Sequence, residues 1–211
     1  MKIRVLGSSG SELPEHNLPA FLIDGVLLMD AGTIGVSLDT RKQERIRHIL
    51  VSHAHLDHIK GIPFLLDNII VRNRKHTVTV LSGKEVISDL KQNVLNGRIW
   101  PDFTRIPDRE QPVLRYGVLD PAQPVKLDGY LIECERVSHA VPAYGYIVTG
   151  SNGRAVAYTG DTGPTDLFWK KMAKHRVTCL IIEVSFPNSM NDLAAKSGHL
   201  TAGLLKQELG K

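Results

Sequence analysis

Residues 53–58 read His53-Ala54-His55-Leu56-Asp57-His58, and the rest of the chain is most simply read as a support for them. Four side chains with lone pairs fall within six residues. Imidazole nitrogen and carboxylate oxygen are ligands for a borderline-soft divalent ion such as zinc. In an extended segment, alternation sends His53 and His55 to one side. A bend after them lets Asp57 and His58 reach a second position nearby. The flanks are not loop-like. His48 to Ser52 reads as a buried strand, and Ile59, Ile62, Leu65, Leu66, Ile69 and Ile70 recur near helical spacing, with Pro63 tolerable only in the first turn. The motif therefore sits on a strand-to-helix loop, where a rigid frame usually places function.

Three later stretches supply further donors: Ser138-His139 after a strand, Thr159-Gly160-Asp161-Thr162-Gly163 after another, and Gly198-His199 before a helix. Taken singly, each histidine reads as structural. Taken together, they supply the donor types the first motif lacks in number. The count suits two ions: His53, His55 and His139 on one, Asp57, His58 and His199 on the other, and Asp161 bridging. Asp57 and Asp161 would be the catalytic carboxylates. Three protein ligands per ion plus a bridge leave room for solvent, as catalytic sites do. Two carboxylates against two divalent ions leave a centre that attracts anions. Asp30, just after a strand, reads equally as a holder of a neighbouring loop or ligand and as a helix cap.

The remainder of the 211 residues reads as support for these donors. Asp24-Gly25 between apolar runs 20–23 and 26–29 signals a hairpin. Residues 34–45 read as helix, 77–81 as strand, and 86–95 as an amphipathic helix ended by Gly97. Residues 101–124 carry five of the eleven prolines and read as one irregular stretch, a lid or connector over 98–125 in a single domain. Strands near 130–137, 144–149 and 154–159, a helix near 165–175, a strand from Thr178 to Val184 and a helix near 201–209 complete the chain. Strands then helices, twice, suit two sheets with helices outside. A net charge of +4 without long runs argues against a nucleic-acid-coating protein. Cys134 and Cys179 read as buried thiols. The first seven residues are too short and polar for a signal peptide, and no apolar run reaches membrane length, so a cytoplasmic protein without membrane partners is expected.

The donor pattern resembles the metallo-β-lactamase superfamily. That resemblance implies an α/β fold, a four-layer αβ/βα sandwich of two mixed sheets with helices outside, holding two divalent ions, Zn²⁺ or else Mn²⁺ or Fe²⁺. A narrower resemblance is to class II 3′,5′-cyclic-nucleotide phosphodiesterases. It rests on residues 53–61, Asn96-Gly97-Arg98-Ile99-Trp100-Pro101, Ser138-His139, 159–163, Glu183-Val184-Ser185-Phe186-Pro187-Asn188 and 198–201. It implies hydrolysis of cAMP or cGMP to the 5′-monophosphate by a metal-bridged hydroxide, with the cyclic nucleotide as small-molecule partner. A homodimer is the default assembly. Trp100, Phe103, Tyr144 and Tyr146 are candidates for a purine wall. His16 is a candidate proton donor, and Glu183 a candidate to orient His199. The alternatives are a tRNA 3′-processing or other nucleic-acid phosphodiesterase, or a thioester or lactam hydrolase on the same frame. The tRNA enzymes carry His-Glu-Ala-Thr where this chain has Ile182-Glu183-Val184-Ser185, and isoleucine cannot transfer a proton.

Overall fold

The computed structural model describes residues 1–73 and 75–211, as two compact units, Met1–Val118 and Leu119–Lys211. The first is built on β1 (Ile3–Gly7), β2 (Ala20–Ile23), β3 (Leu27–Met29), α1 (Thr40–Gln43), β4 (His48–Leu50), α2 (Leu56–Ile59), α3 (Gly61–Arg72), β5 (Val78–Ser82), α4 (Lys84–Asp89) and β6 (Leu114–Val118). Its six strands form one mixed sheet in chain order. β1–β2–β3 are antiparallel, and β3–β4–β5–β6 run parallel.

Local chemistry explains these elements. Asp24 (φ 48°) and Gly25 (φ 77°) both take left-handed backbone in the three-residue loop between the paired Ile23 and Leu27, a conformation that glycine and aspartate tolerate. β2, β3 and β4 are buried at every position, and β2 and β3 read as continuous apolar runs. The helix expected over 34–45 shortens to α1. Asp39 caps it by accepting from the Lys42 amide at 3.0 Å, and Gly35 and Ser37 before it favour turns. Pro63 falls in the first turn of α3, where its missing N–H costs nothing. The amphipathic 86–95 segment is α4 continued by a π-type turn over Leu90–Val94. The stretch that reads as irregular contains β6, whose alternation is hidden by the prolines around it.

The second unit contains β7 (Val125–Leu127), β8 (Tyr130–Arg136), β9 (Tyr144–Thr149), β10 (Ala155–Tyr158), α5 (Leu167–Met172), β11 (Val177–Ile181), α6 (Asn191–Ser197) and α7 (Ala202–Glu208). Its sheet order is β11-β10-β9-β8-β7, parallel only between β10 and β11. Ile147, Ala155, Ala157 and Phe168 form its core, with Trp169, Val177 and Leu180 packed against them. Gly145 permits that packing, because a Cβ there would meet the Phe168 ring at 2.5 Å. α6 is a helix that periodicity does not reveal. Both sheets are mixed and both units carry helices, so the fold class is the α/β arrangement the sequence implies. Among the described residues no helix is long and apolar enough to cross a membrane.

Cys134 is buried and Cys179 partly so, and both are free thiols. Burial pushes the Cys134 thiol up to about 12, with Lys171 opposing only in part. A thiol whose pKa is raised stays protonated through neutral pH, and thiolate is the nucleophile. Cys134 should therefore resist iodoacetamide at pH 8 in the folded chain. Mass-spectrometric mapping that found Cys134 alkylated as fast as a free peptide thiol would contradict this.

Candidate metal centre

The first donor cluster is built on the loop after β4. Asp30 follows β3 and is fully buried, at a left-handed φ of 53° that a non-glycine residue adopts only when its surroundings hold it there. Its carboxylate accepts from the Ser52 amide at 2.7 Å, the Ser52 hydroxyl at 2.7 Å and His58 Nδ1 at 2.6 Å. The residues after it are stitched to the motif: the Ala31 amide donates to the His58 carbonyl, and the Gly61 amide to the Ala31 carbonyl. Only glycine fits at 32 and 61. A Cβ on Gly32 would overlap the Asp57 carbonyl oxygen, and one on Gly61 would lie 2.5 Å from the Ala31 oxygen. Of the two readings of Asp30, the structure selects the holder of the donor loop.

The tautomers follow from these partners. A carboxylate only accepts, so His58 carries its proton on Nδ1 and presents the lone pair of Nε2. Ser52 gives its hydroxyl proton to Asp30, so its oxygen accepts from His53 Nδ1, 3.0 Å away, and His53 likewise presents Nε2. That nitrogen faces His55 Nδ1 at 2.9 Å. Two nitrogens on a tetrahedral zinc at about 2.0–2.1 Å would be about 3.3 Å apart. The rings of His53 and His58 lie 4.1 Å apart, and Asp57 Oδ2 is 3.4 Å from His58 Nε2. All four early donors are thus gathered in one place.

The second unit gathers the other three. Ligand atoms of His139, Asp161 and His199, one from each, lie within 4.8 Å of one another. Each comes from a strand end or a helix start. His139 follows β8, and its Nδ1 donates to the Gly198 carbonyl at 2.9 Å, which puts the ring's lone pair on Nε2. Gly198 closes α6 at φ +73°, and a Cβ there would meet the His139 Cα at 2.7 Å. Asp161 follows β10 after Gly160, itself at φ +62°. His199 Nδ1 donates to Glu183 Oε1 at 2.6 Å. The same carboxylate accepts from the Thr162 amide at 3.1 Å, and from the Ser185 amide and hydroxyl at 2.9 and 2.6 Å. Glu183 therefore makes the contact to His199 that the sequence suggests, and it also ties the Asp161 loop to that histidine.

The donors fit divalent cations. Four imidazoles have one nitrogen fixed by an acceptor, and three of those acceptors are a carboxylate or a carbonyl, the arrangement that orients metal-binding histidines. Replacing Glu183 with glutamine should leave the fold intact but weaken metal binding about 10–100-fold. Metal titration by calorimetry checks this, and an unchanged affinity would remove Glu183 from that role.

Several candidates fall elsewhere. Tyr146, Phe103 and Tyr144 are buried in the core, so none is a purine wall. The pattern misleads because β9 is a central strand, buried on both faces. Trp100 is only partly buried and meets Phe64 edge-on at 5.2 Å. His16 lies exposed in a surface turn, 3.4 Å from the Ser9 hydroxyl. Ser52, the relay between Asp30 and His53, escapes sequence reasoning, because nothing in sequence separates it from any other strand-end serine.

Comparison with known proteins agrees with this geometry. A family described as "Beta-lactamase superfamily domain" matches residues 22–208. A Yersinia pestis protein named "Probable 3′,5′-cyclic-nucleotide phosphodiesterase" is 31% identical over 184 residues, 80% of this chain and 52% of its own. The chain thus spans about half the length of that relative. A ribonuclease Z of Methanococcus maripaludis is 24% identical over 95% of this chain and 80% of its own. In structure, the chain resembles unliganded yeast PDE1 with a TM-score of 0.83, at 19% identity, over 99% of this chain and 81% of that one. With its two mixed sheets and the family match spanning nearly its whole length, the chain belongs to the metallo-β-lactamase superfamily.

Proposed function

We propose that the chain is a metal-dependent phosphodiesterase that hydrolyses 3′,5′-cyclic nucleotides, cAMP or cGMP, to 5′-monophosphates. In this reading His53, His55, Asp57, His58, His139, Asp161 and His199 would hold the divalent ions, Zn²⁺ by preference. The observation that carries the reading is the pair of clusters, each with its imidazoles already oriented by Asp30, Gly198 and Glu183. The likeness to a relative named for cyclic-nucleotide hydrolysis supports the substrate class.

Divalent ions on such donors lower the pKa of bound water to about 7 and neutralise charge growing on phosphoryl oxygens. The chain's own contribution is orientation. Asp30, Ser52, Gly198 and Glu183 hold protons on the outer nitrogens of His58, His53, His139 and His199, so each ring keeps its lone pair aimed inward and needs little reorganisation during reaction. Asp57 and Asp161 add the negative charge that keeps the centre's excess modest. Strain in the cyclic phosphate ring helps expel the 3′ oxygen. That suits a chain with Ile182 where the tRNA-processing enzymes it resembles place a histidine.

The cytoplasm suits the two free thiols. The second reading, an RNA 3′-end phosphodiesterase, is favoured by the likeness to ribonuclease Z over most of both chains. A panel decides between them: cAMP, cGMP, bis(p-nitrophenyl) phosphate, precursor tRNA, a thioester and a lactam, offered to metal-replete protein. The expected product is 5′-AMP or 5′-GMP. Cleavage of precursor tRNA, thioester or lactam with both cyclic nucleotides left intact would overturn the assignment.

A further inference from the structure

A cavity of about 640 Å³ lies within the first unit against the edge strand β6, and none of its lining residues is a metal donor. Three cationic side chains line it: Lys91 from the turn after α4, Arg109 from the loop before β6, and Arg115 on β6 itself. Arg109 and Arg115 form no ion pair among the described residues. The Arg115 guanidinium donates to the Glu110 carbonyl at 3.2 Å, a neutral acceptor that leaves its charge uncompensated. Lys91 lies over the Tyr116 ring, 4.9 Å from its centroid. One carboxylate also lines the cavity, that of Asp102. It is already engaged, by Arg105 at 2.9 Å and by the Thr104 amide and hydroxyl at 3.1 and 2.5 Å. The cavity is therefore strongly cationic.

Leu95 and Leu114 add apolar lining to the cavity. Its volume is that of a small-molecule site.

The geometry points to a phosphate-binding pocket for a small phosphate monoester the size of a mononucleotide, held by Arg109, Arg115 and Lys91 and separate from the metal donors. A dianionic, tetrahedral group has enough acceptors to meet all three, and guanidinium forks match its oxygens in pairs. A monoanionic carboxylate would leave donors unmet. Tyr116 pairs with Val80 on β5, and β5 lies between β6 and β4, the strand that leads into the early histidines. At about 4.8 Å per strand, β6 and the strand that leads into those histidines are two spacings apart within one sheet. The pocket stands whether or not the chain is a phosphodiesterase.

Amide-resolved NMR titration of the full chain with inorganic phosphate, AMP and adenosine tests it. Phosphate and AMP should shift the amides of Arg109, Arg115 and Tyr116 saturably, and adenosine should not. The Arg109→Ala/Arg115→Ala double variant should bind at least about tenfold more weakly, since it loses both guanidinium forks. His139→Ala should leave these shifts unchanged, which separates this pocket from the metal centre. Amides that do not move with phosphate, a double variant that binds as the parent does, or adenosine binding as tightly as AMP would each overturn the pocket.

Discussion

Replacing Asp30 with alanine is expected to cost about 3–5 kcal/mol of stability, the penalty for removing one member of a buried, charge-assisted network. Three donors lose their acceptor at once: the Ser52 amide, the Ser52 hydroxyl and His58 Nδ1, all within 2.7 Å of the carboxylate. The substitution also strains the backbone. Asp30 sits at φ 53°, where alanine is less at home than aspartate. The loss should extend to metal binding, because His58 no longer has its tautomer fixed and His53 loses the serine relay. Asp30→Asn separates the two effects. The amide has nearly the carboxylate's shape, but its NH₂ group cannot accept. It should recover part of the stability and still bind metal about 10–100-fold more weakly. Denaturant unfolding and metal titration of the two variants check the pair. A chain whose stability is unchanged in Asp30→Ala would show that the three short contacts carry no energy.

Asp161→Ala should do the reverse. Asp161 is partly exposed on a loop, so the fold should survive. Its carboxylate is the proposed bridge, and its loss should remove at least one ion per chain and lower cyclic-nucleotide turnover by about 10³-fold or more. Circular dichroism, metal analysis and a phosphate-release assay coupled to a nucleotidase read fold, content and rate. Retained turnover with full metal content would take Asp161 out of the centre.

Much of this site is legible in the sequence, and the reasons are local. His53-Ala54-His55-Leu56-Asp57-His58 keeps its donors close in any strand-to-helix loop. Asp24-Gly25 marks a turn. Glu183 can be suspected because it stands at a strand end with a ligand-like histidine downstream. What is not legible depends on tertiary context. Whether Asp30 caps a helix or holds a loop turns on the approach of residues 52–58, which no spacing encodes. Tyr144 and Tyr146 suit a ligand as well as a core by residue type, and only the strands flanking β9 on both sides decide for the core. β6 is masked because prolines dominate its surroundings, and the shortening of the 34–45 helix because Asp39 caps it late. The pocket at Tyr116 draws on residues from three separate segments, each ordinary alone.

Metal content and X-ray absorption test most directly whether donors from the two units share a cation pair. Metal-replete protein should contain about two divalent ions per chain, with nitrogen and oxygen ligands and a metal–metal vector of about 3.5–4 Å. His55→Ala in one unit and His139→Ala in the other should each abolish that vector. A single isolated ion, or a metal–metal vector that survives the loss of His139, would contradict the shared centre.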